Sequence, residues 1–165
     1  MQSTEETDVV RVQSVSRIAA NEHITSPPGL RNLRILHFLV GEFNPVSADG
    51  VHKTMYNLGR HQAGMGHQVA IFGISRQPAI TMPGVEVRSF MPAPMHLRIS
   101  NELRQAILDW QPDVVHMHSS FTPENAVLAR WLRRQDIPYV ETTHGNMSSY
   151  VVRRRWYLKL PFKHL

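Results

Sequence analysis

A strand pattern, a turn-forming loop and a helix pattern follow one another between residues 33 and 65. Residues 33–40 read LRILHFLV, an apolar run whose length and composition suit a strand buried on both faces of a parallel sheet. The next ten residues, GEFNPVSADG, are rich in residue types that favour turns. Apolar residues then recur at helical spacing at Val51, Met55, Leu58 and Met65. This succession predicts the first strand and helix of an α/β domain.

The start of the predicted helix has the features of an anion-binding turn. Asp49 can cap the helix, Gly50 lets a ligand approach the backbone closely, and Val51 begins the apolar stripe. Backbone amides and the positive end of the helix dipole would then face a phosphate. An ordinary strand-to-helix connection would contain the same residues, because neither the G-x-G-x-x-G motif nor the G-x-x-x-x-G-K-S/T motif occurs here.

Strand and helix patterns continue to alternate as far as residue 143. Thr122 is expected to cap one of the helices, with Pro123 at its first position. Strands that alternate with helices form right-handed β–α–β units, so the predicted fold is α/β, a Rossmann-like parallel sheet flanked by helices. The further strands are predicted at residues 67–73, 85–90, 113–118 and 137–143, with helices at 99–110 and from 122.

Length and composition favour one globular domain in a reducing compartment. Residues 1–31 are polar and end in SPPG, which predicts a flexible leader before a domain at 32–165. The chain contains no Cys, which removes disulfides, thiolate catalysis and Cys-ligated zinc, and suits a cytoplasmic location. No apolar run approaches the ~20 residues that cross a bilayer, and the N-terminal residues lack a secretory signal pattern.

Basic charge is concentrated at the end of the chain, where residues 150–165 alone carry five Lys and Arg, a charge equal to the formal net charge of +5. Residues 150–165 contain no acid, and they combine aromatic side chains with a basic cluster. Such a segment could contact phosphates or an anionic membrane surface, or it could be a solvated helix that packs through its apolar residues. Nucleic-acid binding is not expected, because the basic charge is confined to this segment. The candidate contact residues are Arg153, Arg154, Arg155, Trp156 and Lys159.

Three polar segments are expected to converge at one edge of the sheet. In parallel α/β sheets, ligands bind beyond the carboxyl ends of the strands, near the point where strand order reverses. Residues 41–50 follow the first predicted strand, residues 116–120 end the fourth, and residues 143–145 follow the fifth. Their convergence predicts a binding site.

The histidines of these segments raise the question of a metal. His116 and His118 are two residues apart on a strand and share a face, and with His144 they could hold an ion. Alternatively, His116 packs beneath the sheet and His118 hydrogen-bonds a ligand at the mouth of the site. No metal is expected, because the nearby carboxylates of Asp113 and Glu141 sit at the wrong distance along their strands to support one. Ser119 and Ser120 adjoin His118, but a serine hydrolase is not expected without a G-x-S-x-G motif.

Four motifs, in this order and spacing, resemble the N-terminal domain of glycosyltransferases with the GT-B fold, most closely the large retaining family 4. They are DGV at 49–51, GHQV at 66–69, PDVVHMH at 112–118 and THG at 143–145. The likeness covers about residues 33–160. It implies an acceptor-side domain that faces, across a cleft, a second domain holding a UDP- or GDP-sugar, with no other cofactor. The acceptor would be a glycan or a lipid-linked sugar.

The resemblance also implies roles for individual residues. The loop formed by Asp49, Gly50 and Val51 would approach the donor diphosphate, and His118 would lie beside the transferred sugar as the catalytic residue. Retention of anomeric configuration implies that the leaving phosphate helps to activate the incoming hydroxyl, without a carboxylate pair of the glycosidase type. The acceptor side of the cleft would contain His116, Ser119, His144 and Gly145.

Two departures from the family pattern bear on these expectations. Family members usually carry two adjacent glycines before the helix, whereas Asp49 occupies the first of these positions here. The C-terminal donor domain has no counterpart in the 165 residues, so little transferase activity is expected from this chain without a donor domain, which a separate chain could supply. The basic segment at 150–165 would dock the enzyme peripherally on the inner face of a membrane. The alternative function is a non-catalytic α/β module whose basic segment binds a membrane or a partner.

Overall fold

The computed structural model describes residues 31–41, 50–93, 98–118 and 122–144, which all belong to the compact unit at 31–165. The predicted leader and the basic segment at 150–165 lie outside the described residues, apart from Arg31. The described elements, in chain order, are β1 (Arg34–Val40), α1 (Gly50–Gly64), β2 (Gln68–Ile74), β3 (Val85–Phe90), α2 (Asn101–Trp110), β4 (Val114–His118), α3 (Pro123–Arg134) and β5 (Tyr139–Thr142).

The five described strands form one parallel sheet in the order β3-β2-β1-β4-β5. The chain runs outward from β1 through β2 to β3, and then returns to the other side of β1 for β4 and β5. Strand order therefore reverses between β1 and β4, the position beyond whose carboxyl ends open parallel sheets bind ligands. This arrangement confirms the predicted α/β, Rossmann-like fold.

The core has two parts because alternate strand residues face opposite sides of the sheet. On one face α2 and α3 pack over Phe38, Phe72 and Met117, which are all buried. On the other face α1 packs over Leu39 and Ile71 in a smaller apolar cluster. Burying a side chain of this size contributes roughly 1.5–3 kcal/mol. The larger cluster therefore contributes more to the stability of the central strands, and the α1 face, with fewer buried apolar side chains, has room for polar residues.

Side-chain caps begin two of the helices. Ser100 Oγ accepts a hydrogen bond from the backbone N–H of Leu103 (3.1 Å) at the start of α2, and Thr122 Oγ1 accepts one from Asn125 N–H (3.2 Å) at the start of α3. Pro123 occupies the first turn of α3, as predicted from the sequence. No helix in the described ranges is long and apolar enough to cross a membrane.

The strand boundaries differ slightly from those predicted. β5 begins at Tyr139 rather than at residue 137, because Pro138 has no N–H to donate to the ladder. The Pro138 carbonyl still accepts a hydrogen bond from Val115 N–H at 2.9 Å. β4 begins one residue later than predicted, after Asp113, whose carboxylate accepts a hydrogen bond from the backbone N–H of Arg34 at 2.8 Å.

The cap of α3 gives a direct test of the fold. Replacing Thr122 by Ala removes the side-chain acceptor for Asn125 N–H and is expected to lower the free energy of unfolding by about 1 kcal/mol. Thr122→Ser keeps a hydroxyl at the same place and should cost much less. Urea denaturation of the two variants and the wild type measures both effects. Equal stability of the Ala and Ser variants would contradict the assigned cap.

Candidate functional site

Three histidines from the central strands meet on the α1 face, where strand order reverses. His37 of β1 is the register partner of His116 of β4, and His118 lies two residues further along the same face. The His116 and His118 rings stack with centroids 4.2 Å apart, and each ring centroid lies 5.2 Å from that of His37. His144, just after β5, stacks on His118 at 5.3 Å. The four rings form a continuous group, termed the histidine cluster.

A chain of hydrogen bonds runs through the histidine cluster from α1 to the end of β5. Gln62 Oε1 lies 2.6 Å from His37 Nε2, His37 Nδ1 lies 2.9 Å from His118 Nε2, and His118 Nδ1 lies 3.0 Å from His144 Nε2. A neutral imidazole has one donor and one acceptor nitrogen, and an amide oxygen can only accept. Gln62 therefore fixes the direction: His144 donates to His118, His118 to His37, and His37 to Gln62.

His116 stands beside this chain rather than in it. Its Nε2 lies 2.6 Å from the hydroxyl of Thr142 on β5, and its ring is half-buried. His37 and His118, in contrast, are only 0% and 1% exposed. His118, the last residue of β4, is also held through its carbonyl, which accepts a hydrogen bond from Asn125 Nδ2 on α3 at 3.3 Å. The inner pair is thus fixed in place, and His116 and His144 form the accessible side of the cluster.

Burial keeps the inner histidines neutral. It lowers the pKa of His37 to about 4, although the hydrogen bond with Gln62 works in the opposite direction. Burial, reinforced by the neighbouring histidines, lowers the pKa of His118 to about 2. The pKa of His116 is also lowered, by burial and by the proximity of His144. At pH 7 these three rings are therefore uncharged, which agrees with the one-donor, one-acceptor pattern of the chain.

The cluster lies at the border between a covered and an open half of the α1 face. α1 packs close to β2 at Gly59, where an added Cβ would meet Ile71 and Val69 side chains at 3.6 Å. Over β5 no described helix covers the same face, and Val140 is 51% exposed. A ligand can therefore reach His116 from the β5 side.

His144 has a strained backbone. Its φ of 46° lies in the left-handed region, which costs a non-glycine residue on the order of 1–3 kcal/mol. The conformation places Nε2 in hydrogen-bonding distance of His118, and the half-buried ring remains partly open to solvent. Such strain is typical of residues whose position serves a site rather than stability.

The predicted anion-binding turn is described only in part. Gly50 is the first residue of α1, its carbonyl accepts a hydrogen bond from Thr54 Oγ1 at 2.8 Å, and an added Cβ would meet nothing within 4 Å. Val51 is half-buried in the same turn. Asp49 lies outside the described residues, so the approach of a diphosphate to this turn stays a prediction.

The structure brings His116, His118 and His144 together, as expected from the strand ends, and it adds two residues that the sequence did not single out. These two residues are His37 of β1 and Gln62 of α1. The alternative in which His116 packs beneath the sheet and His118 lies at the mouth is wrong: His118 is the buried one and His116 the half-buried one. The register between β1 and β4 places His37 beside His116, and the buried His37 ring also lies against His118, with the two ring centroids 5.2 Å apart.

Several predicted site residues lie outside the described residues. These are Asp49, Ser119, Gly145, Arg153, Arg154, Arg155, Trp156 and Lys159. Their proposed roles at the donor loop, the acceptor side and a membrane stay predictions.

The chain matches the model of a known protein family. The model of the family described as Glycosyltransferase Family 4 matches residues 48–165, most of the chain. The matched region contains His116, His118 and His144, and it begins after β1, so that His37 precedes it. The chain has no match among the curated proteins with which it was compared.

The lowered histidine pKa values predict a pH-dependent stability. The unfolded chain binds protons near the ordinary His pKa of 6.5, whereas folded His37 does so only near 4. The titration of His37 therefore leaves the free energy of unfolding unchanged above pH 6.5 and lowers it as the pH falls from 6.5 toward 4. The contribution of His37 to this loss is about 3 kcal/mol. His37→Gln should make the decline shallower by about that amount in urea denaturation between pH 7 and pH 4.

His61→Gln serves as the matched control, since His61 is exposed on α1. Its slope against pH should follow that of the wild type. The comparison uses slopes, so a general loss of stability in His37→Gln does not affect it. Parallel declines in His37→Gln and the wild type would contradict a buried, neutral His37.

Proposed function

The chain belongs to glycosyltransferase family 4, and we propose that it forms the N-terminal, acceptor-side domain of a glycosyltransferase with the GT-B fold. Membership in the family makes the domain part of a glycosyltransferase, with a sugar donor and an acceptor as its substrates. The proposed donor is a UDP- or GDP-sugar, and the proposed acceptor is a glycan or a lipid-linked sugar. No other cofactor is proposed for this reaction.

The position of the histidine cluster is the single observation that carries this proposal. His118 is the last residue of β4, which pairs with β1 at the point where strand order reverses. His144 lies two residues after Thr142, the last residue of β5. Ligands of open parallel sheets bind at this place because the loops on either side diverge there. In a family 4 domain, a ligand at this place would be a saccharide.

His118 and His144 are proposed to contact the saccharide together. His118 is held as a neutral ring, and its Nδ1 accepts from His144. When the half-buried His144 turns away from His118, Nδ1 of His118 can accept a hydrogen bond from one sugar hydroxyl, and the freed Nε2–H of His144 can donate a hydrogen bond to another oxygen of the sugar. The His118 ring keeps its orientation in this exchange, because its Nε2 is hydrogen-bonded to His37 and its carbonyl to Asn125, so it can favour the geometry of the transition state.

The proposed reaction retains the configuration at the anomeric carbon. The bond between that carbon and the donor phosphate breaks, the acceptor hydroxyl oxygen forms the new bond, and the hydroxyl proton leaves with the phosphate. The turn at Gly50 and Val51 would receive the diphosphate, since the positive end of the helix dipole favours anions at the start of α1. A donor domain, in this polypeptide or another, would hold the rest of the nucleotide.

Saccharide binding to the 165-residue chain tests this proposal. Saturation-transfer NMR is measured with a panel of free hexoses, disaccharides, UDP-hexoses and GDP-hexoses. We expect saturation of the sugar protons for at least one class of the panel, and at least a fivefold weaker signal with His144→Ala. His61→Ala, which removes an exposed histidine of α1, should bind as the wild type does.

Thermal denaturation of each variant establishes that it is folded. The proposal is contradicted if no member of the panel receives saturation from the folded wild type, or if His144→Ala binds as strongly as His61→Ala.

A further inference from the structure

We propose that His37, His116 and His118 form a binding site for a transition-metal ion of the Zn²⁺ class. The ion and the saccharide would use alternative tautomers of His118, because the ion needs the lone pair of Nε2 and the saccharide contact proposed above needs that of Nδ1. The expectation of no metal rested on a different set, in which His144 was the third histidine and His37 was not included. The arrangement of the described side chains favours the new set.

The spacing of the ring nitrogens suits a metal. One nitrogen from each of His37, His116 and His118 lies within 4.8 Å of the other two, and His37 Nδ1 lies 2.9 Å from His118 Nε2. Nitrogen ligands about 2.05 Å from a tetrahedral zinc are about 3.3 Å from one another. Small rotations of the rings about their side-chain bonds would therefore bring all three nitrogens to this separation.

Each of the three histidines also has an outer partner. Gln62 holds Nε2 of His37, His144 holds Nδ1 of His118, and Thr142 holds Nε2 of His116. The ring nitrogens that remain for an ion are Nδ1 of His37, Nε2 of His118 and Nδ1 of His116. Outer partners of this kind fix the ring orientation of metal-binding histidines and strengthen their binding.

Besides these small ring rotations, metal binding needs a change of tautomer. In the structure, the N–H at Nε2 of His118 donates a hydrogen bond to Nδ1 of His37. To bind an ion, both of these nitrogens must be unprotonated, with their lone pairs directed at the ion. In the ion-bound form, the proton of His118 resides on its Nδ1, and this N–H donates a hydrogen bond to Nε2 of His144. The proton of His144 then resides on the Nδ1 of His144. Each ring remains neutral, and no proton is gained or lost. The hydrogen-bonded chain in the structure is thus the metal-free form of the same site.

The ligand set also indicates which ions bind. Three imidazoles without a carboxylate favour Zn²⁺, Cu²⁺, Ni²⁺ or Co²⁺ over Mg²⁺ and Ca²⁺, which prefer oxygen ligands. His116 is half-buried and borders the part of the sheet that no described helix covers, which gives the ion a route of entry. A water molecule can then occupy the fourth position, as in zinc sites with three protein ligands.

Calorimetric titration of the metal-free chain with Zn²⁺ tests the site. We expect one saturable equivalent, and at least a tenfold loss of affinity in His116→Ala, because removal of one of three ligands leaves an incomplete set. Thr142→Val, which keeps the shape of the side chain but removes the outer partner of His116, should also bind Zn²⁺ about tenfold more weakly. His61→Ala should bind as the wild type does, and Mg²⁺ should not compete.

Histidine-ring NMR identifies the ligands without any substitution. With ¹⁵N-labelled histidine, Zn²⁺ should shift the ring resonances of His37, His116 and His118, and leave that of His61 in place. Visible absorption bands of tetrahedral Co²⁺ should appear on addition of one equivalent and disappear on addition of Zn²⁺. The proposal is overturned if the folded wild type shows no saturable Zn²⁺ binding, or if Zn²⁺ leaves the rings of His37, His116 and His118 unshifted.

Discussion

The parallel pairing of β1 with β4 is the interaction on which the rest of the site depends. It places His37 directly beside His116 and brings His118 over the same face, although some 80 residues separate the two strands in the chain. The same pairing marks the reversal of strand order, where a parallel sheet binds its ligands. The pairing of these two strands therefore determines both the point where strand order reverses and the grouping of the histidines there.

In the histidine cluster, burial sets the charge of the rings, and the hydrogen-bond chain sets the position of their protons. Desolvation removes the charge of His37 and His118, and the Gln62 oxygen then determines which nitrogen of each ring carries the proton. A neutral histidine can accept a hydrogen bond from a sugar hydroxyl at one nitrogen or bind a metal ion through the other. The two proposals thus use the same ring through different nitrogens, Nδ1 for the saccharide and Nε2 for the ion.

The elements and their ends were largely predictable, because their signals are local. The apolar run at 33–40 gave β1, helical spacing after Val51 gave α1, and Thr122 with Pro123 marked the start of α3. The site was predictable only in part. Residues that end strands β4 and β5 could be identified, since any residue there faces the same edge. His37 lies in the middle of β1 and Gln62 in α1, and no local pattern distinguishes them from other buried or surface residues.

The sequence by itself determined the α/β fold, the parallel sheet and the family, because periodicity, turn formers and ordered motifs act within short stretches of chain. Only the tertiary structure decided which histidine is buried, which ring donates to which, and which three nitrogens come close together. Those properties depend on strand register and on the packing of α1 against the sheet. Register arises from contacts between residues far apart in the chain, so a single sequence does not reveal it.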